Sequence, residues 1–174
     1  SNILHSAMYE GKSIRRYVEK NYSNDKITAL ISRYTCNEIF LLINNVVSLE
    51  KGIYKYDIRR HSLTLITIGN FAITSNEIAI GQGSLQNCSV VVFITQHYKN
   101  YMWRYRTSRA LRSLYVETGM LAQRFLVATE ANKLKTFLTP AIRDSLANSL
   151  LRLNPIMESV SYIIGIGHPK SSNK

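Results

Sequence analysis

Between residues 38 and 97 the chain falls into short apolar runs separated by polar breaks, and the period of each run predicts an element. "EIFLLINNVV", Glu38 to Val47, is rich in branched residues and short for a buried helix, so it predicts a buried strand. "GIYKYDIRRHSLTLI" follows. Its Ile53-Tyr54-Lys55-Tyr56 segment, its polar turn from Asp57 to His61 and its alternating Leu63, Leu65 and Ile66 predict a hairpin. "CSVVVFITQ", Cys88 to Gln96, predicts a second central strand. "SVSYIIGIGHP", Ser159 to Pro169, predicts a third, ended by glycine and proline.

Helical patterning occupies much of the remainder. Residues 1–17 mix small, apolar and basic positions in a first helical segment, and Ser23-Asn24-Asp25-Lys26 reads as the N-cap of a short helix with Ile27, Leu30 and Ile31 turned inward. Residues 69–88 have weak helical character interrupted at Gly81-Gln82-Gly83. One long amphipathic helix is predicted from about Thr107 to Lys133, and a short one from Arg143 to Leu151 with its stop at Asn154-Pro155. "TFLTPAIRDSL" between them reads as a loop. This order of elements predicts one α+β domain over residues 1–174, with 170–174 as a flexible tail.

Charge adds a second constraint. The net charge of +11 over 174 residues points to an anionic partner, either a nucleic acid or a phosphorylated cofactor or substrate, against the plain alternative of a biased solvated surface. No zinc-finger or RNP-type pattern accompanies the basic residues, so nucleic-acid binding has no motif behind it. Cys36 and Cys88 lack the spacing of a disulfide scaffold or a zinc site, which predicts reduced thiols, a cytoplasmic location and no metal. No run approaches the roughly 20 apolar residues that span a bilayer.

Four segments, "GKSIRRYVEKNYSNDKITALI", "GIYKYDIRRHSLTLI", "YRTSRALRSLYVETGMLAQRFLVATEANKL" and "ESVSYIIGIGHP", together resemble the FMN-dependent nitroreductase superfamily, and within it the azoline-oxidising branch, the streptolysin- and microcin-type dehydrogenases. "GKSIRRYVEKNYSNDKITALI" is similar to the family's N-terminal basic-x-Ser-x-basic motif and first capped helix. "GIYKYDIRRHSLTLI" resembles the branch's hairpin, "YRTSRALRSLYVETGMLAQRFLVATEANKL" its long helix, and "ESVSYIIGIGHP" the closing strand. The resemblance implies a nitroreductase-like fold, a mostly antiparallel sheet flanked by helices. It also implies a homodimer packed on the long helix, where Gly119 permits close approach and Glu117 and Gln123 find partners at the interface or near the flavin. A solvated helix face is the plain alternative for all three.

FMN carries a phosphate dianion and gains electron density near N1 and O2 on reduction, so its site needs cations and hydroxyls. The resemblance places Ser13 at the phosphate or ribityl chain, Arg15 at the pyrimidine edge and Lys12 at the phosphate, while Gly11 stands where the family has an arginine. An exposed basic turn is the alternative. The resemblance puts Ala141 in the position of the glycine whose N–H approaches flavin N5, beside Pro140, which has no N–H to give; a plain Pro-containing connection is the alternative. Gln123 completes the cofactor set. Before the long helix the branch has a Lys-Tyr pair implicated in proton removal; this chain has Arg104-Tyr105. Tyr105 fits the base. Arg104 stays protonated and is a poor one, which leaves it to act on Tyr105 or on an acidic group of the substrate.

A further departure is the short "RYTCN" junction, where the family has a Pro-Ser-Gly-rich loop over the flavin. Either the loop is lost, or a stretch is omitted between Ser32 and Arg33. The resulting expectation is an FMN-dependent dehydrogenase that aromatises azolines to thiazoles or oxazoles in a peptide, with a cyclodehydratase as a further partner. The alternatives are an NAD(P)H-dependent nitroreductase and a degenerate, non-catalytic subunit.

Overall fold

The computed structural model describes residues 2–7, 36–57, 60–82 and 85–168. Its strands are β1 (Asn37–Ile43), β2 (Gly52–Asp57), β3 (Ser62–Ile68), β4 (Val90–His97), β5 (Lys135–Thr139) and β6 (Glu158–Gly167). Its helices are α1 (Asn2–Ala7), α2 (Ala72–Ile78), α3 (Tyr98–Arg104), α4 (Arg109–Ala131) and α5 (Asp144–Leu151). The strands make one sheet in the order β3-β2-β1-β4-β6-β5, with every neighbouring pair antiparallel. This is the α+β architecture that the element order predicts, and the mostly antiparallel sheet flanked by helices that the resemblance implies.

Side-chain alternation along the central strands builds two cores. Ile39, Leu41, Val92, Ile94 and Ile164 face one side, where Leu121, Ala122, Phe125 and Ala128 of α4 and Ala7 of α1 cover them. Phe40, Leu42, Val91, Phe93 and Ile163 face the other side, under Ile78 of α2 and Ala147 and Leu151 of α5. Because β1, β4 and β6 are covered on both faces, their sequences are nearly continuous apolar runs. Gly165 of β6 lies close under this packing: a Cβ there would sit 2.6 Å from Leu85 Cδ2 and Cys88 Sγ, so a larger residue would have to displace those two side chains.

Four boundaries differ from the sequence expectation. β1 ends at Ile43 and not Val47, because the Asn44 and Asn45 N–H groups both turn to the Ser89 carbonyl and the Asn44 side chain donates to Cys88 O at 2.9 Å. The segment after α4 opens as a strand and not a loop: β5 pairs from Lys135↔Gly167 to Thr139↔Ile163 along the edge of the sheet. The aromatic stretch before the long helix is itself a helix, α3, whose start is capped by His97 Nδ1 accepting from the Asn100 N–H. α5 stops at Arg152, which adopts a left-handed conformation with φ 56°, while Asn154 begins the next turn by accepting from Met157 and Glu158. The predicted helix over 23–31, and the first helical segment beyond Ala7, lie outside the described residues.

Candidate functional site

The corner between α3 and α4 holds Tyr105. Its N–H donates to the Tyr101 carbonyl at 3.0 Å and closes the last turn of α3. Its ring leans on that of Tyr101, with centroids 5.0 Å apart and planes tilted by 41°, a separation at which aromatic pairs attract. Tyr105 is 39% exposed, whereas Tyr101 beneath it is 3% exposed and packs with Cys36, Ala110 and Leu114.

The buried Tyr101 hydroxyl donates to Glu117 Oε1 at 3.0 Å. Burial, then the Glu117 charge and this hydrogen bond, push the hydroxyl's pKa far above its ordinary value, so Tyr101 stays protonated and donating. The carboxylate in the middle of α4 therefore serves the tyrosine of α3. Tyr101 went unmarked in the sequence; its i, i+4 spacing from Tyr105 on an aromatic-rich stretch was the available signal.

The exposed crest of α4 is charged at its start and apolar along its middle. Arg106, Arg109 and Arg112 are exposed and pair with no carboxylate among the described residues. Val116, Met120 and Val127 are 58%, 53% and 60% exposed. Gly119 lies beside this strip, and a Cβ there would meet only the Tyr162 hydroxyl at 4.0 Å. Close approach within one chain is thus not what Gly119 provides. Gln123 is exposed on the same helix and makes no hydrogen bond among the described residues.

The remaining predicted site residues are not gathered at this corner. Ala141 follows β5, and its N–H is engaged by Thr139 Oγ1 at 3.0 Å. The chain there turns to the sheet face opposite α4, where the Arg143 N–H donates to the Ile78 carbonyl. Arg104 is the last residue of α3. Lys12, Ser13 and Arg15, with Gly11 and the Ser32–Arg33 junction, lie outside the described residues. A cavity of about 590 Å³ opens between the sheet, α1 and α4, lined by Leu41, Tyr56, Val92, Phe125 and Leu134; Tyr105, Gln123 and Ala141 do not line it.

A second polar cluster crosses the α5 face of the sheet. Thr95 Oγ1 hydrogen-bonds to Glu158 Oε1, and Lys55 pairs with Glu38. Burial raises the Glu158 pKa, with the Glu38 charge adding to the rise and the Thr95 bond, Lys55 and His97 opposing it. Folding therefore favours protonated Glu158, and wild-type stability falls as pH climbs from the unfolded value of 4.5 through the higher folded one. Glu158→Gln keeps an acceptor for Thr95 and removes the buried charge. Urea unfolding should find the variant more stable at pH 7, with the gain vanishing near pH 4. Equal or lower stability at pH 7 would place Glu158 in a net favourable ion-pair network.

The Nitroreductase family model matches residues 38–168, and the chain belongs to that family. It is 38% identical to the trifolitoxin operon protein TfxC of Rhizobium leguminosarum bv. trifolii over 97 residues, 56% of this chain and 27% of that protein. A nitroreductase-like structure from Anabaena variabilis superposes with a TM-score of 0.70 at 29% identity, covering 78% of this chain and 27% of that one. The E. coli microcin synthetase McbBCD complex, solved with truncated pro-MccB17 bound, contains a chain with the same fold, with a TM-score of 0.68 at 16% identity over 87% of this chain and 56% of that one. Thus the chain spans 27% of the length of its TfxC and Anabaena relatives.

Among the described residues no helix is long and apolar enough to cross a membrane, and no group of histidine, cysteine and carboxylate side chains could hold a metal ion.

Proposed function

We propose that this chain is part of an FMN-dependent oxidoreductase that dehydrogenates azoline rings of a peptide to thiazoles or oxazoles. The observation that carries the reading is Tyr105, a half-exposed phenol directly after Arg104, backed by the buried Tyr101–Glu117 pair. The likeness to a trifolitoxin operon protein supports the peptide natural-product class.

Aromatising the ring removes a proton from one ring carbon and a hydride from its neighbour, and bound FMN supplies the hydride acceptor, with oxygen as the final oxidant. Tyr105, acting as the phenolate, takes the departing proton at its oxygen and becomes the neutral phenol. Arg104 stays cationic and binds an acidic group of the substrate.

The donor set fits FMN in part. Gln123 offers an unengaged amide, but Ala141 must release its N–H from Thr139 before a flavin nitrogen accepts it, and Gln123 and Ala141 attach to opposite faces of one sheet. A cradle shared between two copies resolves that separation. In this reading two chains pack through the apolar crest of α4, with Gly119 beside the contact. Met120→Asp would place a charge in that strip, and light scattering should then give the mass of a monomer. A variant that stays dimeric would move the interface elsewhere. By the resemblance Lys12 and Ser13 supply the phosphate end and Arg15 the pyrimidine edge, and a cyclodehydratase supplies the ring in the same cytoplasmic compartment.

The test is incubation of the purified full-length protein with FMN and an azoline-bearing peptide, followed by mass spectrometry for loss of two hydrogens per ring. The engaged Ala141 N–H favours a second reading, a non-catalytic subunit that keeps the fold to bind a partner. That reading predicts no flavin and no mass change. NAD(P)H-dependent bleaching of a bound flavin would instead identify a nitroreductase.

A further inference from the structure

Tyr101 is tied both to α4, where Ser113 also hydrogen-bonds to it, and to Tyr105. The Tyr101 hydroxyl reaches across to α4 and donates to Glu117 Oε1 at 3.0 Å. Its carbonyl accepts the Tyr105 N–H at 3.0 Å. Its ring supports the Tyr105 ring at 5.0 Å between centroids. Because the chain turns from α3 to α4 through residues 105–108, the direction of the Tyr105 phenol is set by how this corner is tied down. Residues 105–109 are all exposed, so no core packing of their own fixes them. Among the described side chains of α3 the buried one is Tyr101, 3% exposed, and its ring lies against that of Tyr105.

We infer that Tyr101 and Glu117 are positioning residues for Tyr105: the hydrogen bond between them locks the Tyr101 ring, and that ring holds the Tyr105 phenol in one orientation at the surface. This rests on the reading of Tyr105 as the proton-accepting group. Neither residue touches the substrate in this account. The chemistry of the pair suits a fixed strut, since a tyrosine whose pKa is raised by burial and by a carboxylate does not compete for the proton Tyr105 handles. Carboxylate and phenol also form a strong, directional bond.

Three variants separate positioning from mere stability. Tyr101→Phe keeps the ring and removes the donor. Glu117→Ala keeps the donor and removes the acceptor. Glu117→Gln removes the charge but retains a carbonyl oxygen that accepts the same hydrogen bond, so it is the conservative rescue. The first readout is 19F NMR of the full-length protein carrying 3-fluorotyrosine at position 105, which needs neither flavin nor turnover. Wild type and Glu117→Gln should share one sharp resonance, while Tyr101→Phe and Glu117→Ala should shift and broaden it with folded circular-dichroism spectra. The second readout is azoline oxidation, where those two variants should lose about tenfold in kcat at unchanged KM, as a small misorientation of a reacting group does.

A 19F line that is unchanged in all the variants would overturn the inference, as would a Glu117→Gln variant that behaves like Glu117→Ala. A wild-type protein without oxidase activity but with the expected 19F pattern would remove the proposed reaction and leave the Tyr101–Glu117 strut in place. If Glu117→Ala unfolds, Tyr101→Phe carries the test alone, because it removes one oxygen from a ring that stays packed.

Discussion

Tyr105→Phe is expected to lower kcat for azoline oxidation by about 10²- to 10⁴-fold, the range a positioned acid or base contributes. The substitution removes a single oxygen. The ring can still lean on Tyr101 at the 5.0 Å separation, and the Tyr105 N–H bond to the Tyr101 carbonyl does not involve the side chain. Stability, flavin content and KM should therefore stay near wild type, and the loss should fall equally on kcat and kcat/KM, as for an interaction made only in the transition state. Steady-state assays of flavin-loaded protein check this. A variant within threefold of wild type would place the proton-accepting group elsewhere and leave Tyr105 as a surface aromatic of the α3–α4 corner.

Phe125→Ala is expected to cost about 3–5 kcal/mol of folding stability. Phe125 is fully buried in the core between α4 and the sheet, within the same cluster as Leu41, Val92, Ile94 and Ile164. It also lines the cavity of about 590 Å³ beside α1. Truncation enlarges a space that is already open. The strand backbones around it are fixed by pairing on both sides, so the site has little freedom to collapse. The cost should appear as a lower urea midpoint with an unchanged m-value. A shift equivalent to less than about 1 kcal/mol would mean that α4 contributes little to the core, contrary to the packing of Leu121, Ala122 and Ala128 around the same layer.

Much of this architecture is legible from sequence because β1, β4 and β6 are covered on both faces, and double burial writes itself as uninterrupted apolar runs such as "VVVFIT". The long helix is legible for the complementary reason: one face meets the sheet and the other does not. β5 escaped because "KTFLT" lies at the edge with mostly half-buried residues, so its alternation is blurred, and its Thr-Pro continuation reads as a connection. α3 escaped because "YKNYMWR" has no amphipathic period; its described anchor is Tyr101. The αL stop at Arg152 has no glycine to announce it.

The site divides in the same way. Tyr105 was singled out through the resemblance, by the place of its Arg-Tyr pair ahead of the long helix. The partnership of Tyr101 with Glu117 spans two helices and 16 positions, a contact that only the turn at residues 105–108 creates. No sequence period could have linked them. Gln123 and Ala141 were paired by resemblance to one cofactor, yet α4 and the segment after β5 leave the sheet on opposite faces, a consequence of strand order that no single motif contains.

The claim on which the rest depends is that the protein holds FMN. The most direct test is the visible absorption spectrum of the purified full-length protein, recorded as isolated and again after incubation with FMN and removal of free flavin. The account predicts two protein-retained flavin bands with an approach to one flavin per chain. A protein that stays colourless after reconstitution would contradict it, and the nitroreductase fold would then be read as a binding subunit.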